Sequence, residues 1–147
     1  MIEVEYLLTG GITMIVIGVC VLVHYEGLRL LSDKLPMPRT HHRRRMILLI
    51  LFIIVFHVVQ IWIFGAAYYG LLQLDGFGEL NGMTANTFVD CIYFSASVYT
   101  TVGFGDIYPT GAIRTMTGSE GLTGLTMITW SASFTYLQML KTWDEDD

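Results

Sequence analysis

Few residues in this 147-residue chain have the types and spacing of reactive chemistry. No nucleophile, base and orienting partner occur together, and there is no Gly-Lys phosphate loop, so enzyme activity is not expected. Cys20 and Cys91 both sit in apolar surroundings. Without a second ligand pair at metal spacing they make neither a disulfide scaffold nor a zinc site. Three features are left. One is a glycine-containing run, Thr100-Thr101-Val102-Gly103-Phe104-Gly105-Asp106; the second is an acid, Glu120, inside an apolar stretch; the third is His57, inside another. An acid in such surroundings is costly and usually functional. Its chemistry would be to accept hydrogen bonds, to exchange a proton, or to meet a cation. A lone histidine on an apolar face reads first as packing or a single hydrogen bond, with pH sensing as the alternative.

The elements that carry these residues are set by composition. Apolar residues make up 53% of the chain and charged residues only 14%, against about a quarter charged in soluble domains. Mean hydropathy is +0.55. The net charge of −5, from 8 basic and 13 acidic residues, argues against a nucleic-acid surface. Three long apolar stretches follow. Val4–Tyr25 would span about 33 Å as a helix, a match to a bilayer core. Met46–Leu74 has no charged residue and at about 43 Å must tilt or project. Ala112–Leu140 is weaker, with many Thr and Ser and with Arg114 and Glu120. A polar-flecked helix in lipid faces other protein or water. The first stretch is a membrane span rather than a signal peptide, because it lacks a basic start and a small-residue cleavage site. Six of the eight basic residues (Arg29, Lys34, Arg39, Arg43, Arg44, Arg45) lie between the first two stretches. That places the connector in the cytoplasm, the N-terminus outside and the C-terminus inside. Pro36-Met37-Pro38 forms a turn between an amphipathic extension of the first helix and the basic approach to the second.

Gln73–Asn86 is polar and Gly-rich, hence a loop. Thr87 and Asp90 have the Thr-x-x-acid form of a helix start. The helix they open runs to about Thr100, too short to cross a bilayer. A short helix before a Gly-rich run reads as a re-entrant segment, allowed at membrane depth only where protein or water surrounds it.

The run Thr100–Asp106 closely resembles the potassium-channel signature Thr-Thr-Val-Gly-Tyr/Phe-Gly-Asp. The resemblance covers about residues 46–140. It implies a pore domain with outer helix 46–74, pore helix 87–100, selectivity filter 101–105 and inner helix 112–140. In such filters backbone carbonyls replace the hydration shell of the ion. Carbonyls offer partial negative charge without the deep trap of a carboxylate. Aiming successive ones at one axis needs dihedrals that alternate in hand, and Gly103 and Gly105 permit this without a Cβ penalty. The resemblance implies K+ sites at Thr101, Val102, Gly103 and Phe104, with Gly105 completing the filter. Val102 and Phe104 are expected to pack behind it. Tyr93 and Phe94 fit an aromatic collar, and Thr100, Ser97 and Asp106 belong to the support. Ser97 stands where many relatives have an acid that partners the mouth Asp, so its link to Asp106 is expected to be weak or water-mediated. One chain carries one filter strand, so four chains are implied, closed symmetrically about the pore.

Glu120-Gly121-Leu122-Thr123-Gly124 resembles the Glu-x-x-x-Gly element of small bacterial channel subunits. Gly124 would be a hinge and Gly121 a point of close packing under the pore helix. Glu120 is expected to brace pore-helix hydroxyls such as Thr100 or Ser97, with a proton sensor and direct ion coordination as alternatives. Leu125, Ile128, Ala132 and Tyr136 recur every three or four residues. They are expected to line the cavity and inner gate, Tyr136 at a narrow point, or else to pack against the second span. Arg114 is expected to anchor at the interface or to pair with an acid. His41-His42 with Arg43, Arg44 and Arg45 is a topology signal or an anionic-lipid contact. Trp143 with the acids after it is an interfacial anchor and solvated tail that can pair with that basic cluster.

The resulting expectation is an all-α membrane protein. Residues 1–45 hold an extra transmembrane helix (about 4–25) and a basic linker, 46–140 the pore domain, and 141–147 an acidic cytoplasmic tail. Three transmembrane helices carry a re-entrant pore helix and filter between the second and third. The implied function is passive, K+-selective conduction by a homotetramer in a prokaryotic plasma (inner) membrane. The alternatives are a weakly selective cation channel and a non-conducting regulatory subunit that needs a partner. No cofactor beyond filter K+ is expected. The chain has no helix with arginine at every third position, so a voltage sensor of the usual kind is not expected.

Overall fold

The computed structural model describes residues 2–34, 42–82 and 87–144. The expected turn at Pro36–Pro38, Arg39, the side chains of His41 and His42, and those of the tail from Trp143 onward lie outside what it describes. The elements are α1 (Ile2–Lys34), α2 (His42–Leu72), β1 (Leu80–Asn81), α3 (Phe88–Tyr99), β2 (Tyr108–Pro109) and α4 (Ile113–Asp144). Of the long helices, Val4–Asp33 in α1 and Arg43–Leu72 in α2 are long and apolar enough to cross a membrane. Both turn large apolar side chains outward, among them Leu7, Met14 and Leu22 on α1 and Ile54, Val55 and Trp62 on α2. Helices that are apolar on every side belong in a core or in lipid.

α1 has a second, inward face. Thr9, Thr13, Val16, Cys20, His24, Leu28 and Leu31 are buried, at the spacing of three and four that marks one side of a helix. That side packs on α2 and α4 of the same chain. The helix runs unbroken to Lys34, so the expected amphipathic extension is a continuation of it. α4 keeps most of its Thr and Ser hydroxyls satisfied by donating them back to its own carbonyls. Thr123 bonds to Ser119 O at 2.7 Å and Thr126 to Leu122 O at 2.8 Å. This is how a hydroxyl-rich helix can enter apolar surroundings.

α3 sits between α2 and α4. One core joins Val16 and Cys20 of α1, Phe64 and Tyr68 of α2, Cys91, Phe94 and Tyr99 of α3, and Ile113, Met116 and Met127 of α4. A second cluster, Leu28, Leu31, Leu49 and Ile53, ties the other ends of α1 and α2 together. The polar loop before α3 is clipped to the segment after it. β1 and β2 pair antiparallel, Leu80 opposite Pro109 and Asn81 opposite Tyr108. Ile113 N–H also donates to Phe77 O at 3.1 Å, so the loop closes over the start of α4. Sequence had indicated only a loop here, because two-residue strands leave no periodicity to read.

The start of α3 matches the sequence expectation in detail. Asp90 N–H donates to Thr87 Oγ1 at 3.2 Å, and Thr87 N–H donates to Asp90 Oδ2 at 3.1 Å. The Thr87 hydroxyl and N–H hold the Asp90 carboxyl below its ordinary range. A carboxyl whose folded pKa is depressed supports the fold above its unfolded value, about 3.9, and that support fades as pH falls toward the folded one. Replacing Thr87 by Ala should destabilise the protein by about 1 kcal/mol, with Thr87→Ser close to the parent. Thermal unfolding at neutral pH checks this, and the gap between Ala and Ser should narrow in acid.

Candidate functional site

The site is built on the end of α3 and the return of the chain beside it. Thr100 N–H closes the helix on Ala96 O, and Thr101 N–H turns onto Val98 O at 2.9 Å. Thr101 then takes φ 60°, Gly103 φ 57° and Gly105 φ 80°. Positive values at every second residue are the alternation of hand expected for this run. Thr101 is the unexpected member, since a left-handed residue with a side chain costs about 1–2 kcal/mol. Two bonds lay the run antiparallel along α3: Gly103 N–H donates to Ser97 O at 3.0 Å, and the Tyr93 hydroxyl donates to Asp106 Oδ2 at 2.8 Å. The ring of Phe104 stacks on Tyr93, centroids 6.2 Å apart and planes 6° from parallel. Val102 and Phe104 are otherwise exposed on the single chain.

These contacts revise several sequence-based assignments. Asp106 is held by Tyr93; Ser97, whose link to Asp106 was expected to be weak or water-mediated, gives its backbone carbonyl to Gly103 N–H and has its side chain buried. The second Asp106 oxygen accepts from Ile107 N–H at 3.0 Å. Phe94 is buried edge-on against Tyr68 of α2, centroids 5.1 Å apart, so the aromatic pair at the run is Tyr93 with Phe104. The Thr100 hydroxyl returns to Ala96 O at 2.7 Å. Arg114 is exposed near the start of α4.

Glu120 is fully buried, and its partners are Ser95 and Tyr68 rather than Thr100 or Ser97. Ser95 and Tyr99 are four residues apart on the face that α3 turns inward, whereas Thr100 points out. Tyr68 donates to Glu120 Oε2 at 2.7 Å. Ser95 Oγ lies 2.5 Å from Glu120 Oε1 and 2.8 Å from Ile61 O. One hydroxyl proton cannot serve two acceptors fully. The arrangement closes if Ser95 donates to Ile61 O and Glu120, as the neutral acid, donates to Ser95. One turn along α4, Gly124 comes closer to α3 than Gly121 does. A Cβ there would collide with the Tyr99 carbonyl, while one at Gly121 would stand 3.7 Å from Val98 O. The close approach expected at Gly121 therefore falls at Gly124, and α4 passes it as continuous helix.

Leu125, Ile128, Ala132 and Tyr136 are all exposed on the single chain. Ile128, Ala132 and Tyr136 line an open groove of about 510 Å³ that α4 forms with Ile50, Ile53 and His57 of α2. His57 is not isolated. With His24, Gln60, Tyr99 and Ser131 it forms a hydrogen-bonded ring, and sequence reasoning had singled out none of those four. Their signal was present as single polar residues in apolar helices, but nothing in one sequence pairs them. Near the other end of α2, Arg45 donates to Gln138 Oε1 at 3.4 Å, while Arg43 and Arg44 are exposed.

Glu120→Gln should fold like the parent, because an amide can donate to Ser95 and accept from Tyr68 as the neutral acid does. Glu120→Leu should destabilise by about 1–3 kcal/mol, because Tyr68 loses its close acceptor while Ser95 keeps Ile61 O. Thermal unfolding in detergent, compared across the pair, checks this.

Residues 46–140 match the family model described as "Ion channel". No curated protein and no solved structure matches the chain.

Proposed function

The chain belongs to the ion-channel family, a membrane family of channels rather than enzymes, and from that premise we propose that it is the subunit of a homotetrameric potassium-selective channel. The observation that carries the reading is the alternation of positive φ at Thr101, Gly103 and Gly105 beside the end of α3. Such a backbone swings successive carbonyls toward one side. Four copies about an axis would turn Thr101–Phe104 into stacked rings of oxygens that exchange for the hydration shell of K+. One strand offers one side of each ring, so the reading requires a tetramer closed about the pore. The exposure of Val102, Phe104 and the Leu125–Tyr136 stripe on the single chain is consistent with faces that meet neighbours or the pore.

In this reading α1, α2 and α4 cross the membrane and α3 is the re-entrant pore helix. α3 enters from the outer side, and its C-terminal dipole end faces the cavity, where it stabilises a cation. The Tyr93–Asp106 bond and the Tyr93–Phe104 stack hold the outer filter to the pore helix. The basic connector lies in the cytoplasm of a prokaryotic cell, with the N-terminus outside, and Arg43 and Arg44 can meet anionic headgroups. Gly124 offers a hinge below the filter, and Ile128, Ala132 and Tyr136 line the route to an inner gate.

Flux from proteoliposomes tests the reading. Purified protein should dissipate a K+ gradient at least about ten-fold faster than a Na+ gradient, and Gly103→Asp, with a carboxylate and a disfavoured φ, should abolish it. Equal flux of both ions would leave a weakly selective channel. Flux only after a partner is added would make this chain a regulatory subunit.

A further inference from the structure

The five-residue ring around His57 joins all four helices. Gln60 Nε2 lies 2.9 Å from His24 Nδ1, and His24 Nε2 lies 3.2 Å from Ser131 Oγ. Ser131 Oγ lies 3.1 Å from His57 Nε2, and His57 Nδ1 lies 3.0 Å from the Tyr99 hydroxyl. The Tyr99 hydroxyl closes the circuit by donating to Gln60 Oε1. The donors can be counted round. With Tyr99 giving its proton to Gln60, the Gln60 amide gives one to His24, His24 to Ser131, Ser131 to His57, and His57 to Tyr99. Every member donates once and accepts once, and both imidazoles are neutral. His24, Gln60 and Tyr99 have no exposed surface, and Ser131 is 5% exposed. Trp130 packs on His24 with ring centroids 5.2 Å apart. His57 is half-buried, on the groove beside α4. A fully satisfied network of this kind, with its other members buried, fixes them in one arrangement.

Tyr99 is the last helical residue of α3, two positions before Thr101. Its carbonyl faces Gly124, and its hydroxyl is held only by Gln60 and His57 among the side-chain bonds described. Gln60 and His57 are held in turn by His24 and Ser131. His24 is the ring's only member on α1, the helix that precedes the family-matched segment. We propose that His24 is a positioning residue for ion selection: acting through Gln60, it fixes Tyr99, and so the helix turn from which the Thr101–Gly105 run departs. The first helix is then part of the filter's scaffold. This rests on the functional reading above for what the run does, but not for how it is held.

The test uses the whole 147-residue chain, assembled in nanodiscs and in planar bilayers. His24→Leu keeps a similar volume, so α1 stays docked by its apolar face while the ring opens. Two readouts are taken: the K+/Na+ permeability ratio from the reversal potential, and hydrogen exchange in the 97–104 segment, which includes the Thr101 and Gly103 amides. We expect the ratio to fall and the exchange to rise by about five-fold, the scale of one lost hydrogen bond. Tyr99→Phe should do the same, and combining it with His24→Leu should add little, since both cut one circuit. A purely structural glue would lower the melting temperature and leave both readouts unmoved; that result, or full additivity, overturns the proposal. If the parent protein itself fails to select K+, the functional reading falls, and the exchange arm alone decides the role of His24. Should His24→Leu fail to assemble, His24→Gln, whose amide reaches toward Ser131 and leaves the place of Nδ1 empty, opens the ring on its Gln60 side and is read in the same way.

Discussion

How closely α4 can approach the end of α3 governs the rest of this structure. The Tyr99 carbonyl occupies the space where any side chain at position 124 would begin, so only glycine lets the two helices meet. That contact sets the height at which α3 ends. The height then decides where Thr101 starts its return, because Thr101 N–H and Gly103 N–H both bond to carbonyls in the last turn of α3. On either side of Gly124 the same face of α4 presents a polar anchor. Glu120 takes hold of Ser95 on α3 and Tyr68 on α2, and Ser131 takes hold of the two histidines. The inner face of α4 thus combines one steric fit with two hydrogen-bonded locks, placed one turn and two turns away.

The locks are costly unless complete. Each holds mostly buried polar groups, and each is closed by a definite count of donors and acceptors. Such networks add little net stability compared with apolar packing, but they penalise every arrangement in which a member is left out. A backbone that must hold left-handed residues, including a threonine at φ 60°, benefits from that kind of support. The far end of the run is fastened differently. Tyr93 grips Asp106 and stacks on Phe104, and the two-residue ladder ties the preceding loop to the chain after the run.

Much of this could be read in the sequence. The long helices follow from apolar stretches, the start of α3 from Thr87 and Asp90, and the run itself from seven consecutive residues. What could not be read was which polar side chains meet. Helical spacing shows that Ser95 and Tyr99 share a face, and that Glu120, Gly124 and Ser131 nearly do. It does not show how far one helix is turned about its axis against the next. At about 100° per residue, Ser95 and Ser97 stand about 160° apart round α3 and Gly121 and Gly124 about 60° apart round α4, and turns of that size separate the expected partners from those found. His24 lay further from view. It sits on a helix whose partner sequence alone left open, and the helix turned out to pack on its own chain.

The central claim is that carbonyls of Thr101–Phe104 from four chains hold dehydrated cations on a common axis. Anomalous scattering from crystals of the tetramer grown in thallium, a heavy stand-in for K+, addresses it directly. The account predicts a column of peaks on the four-fold axis, level with those carbonyls and reduced when K+ competes but not when Na+ does. Thallium density lying off the axis or confined to acidic side chains, or an axis with no peaks, would contradict it.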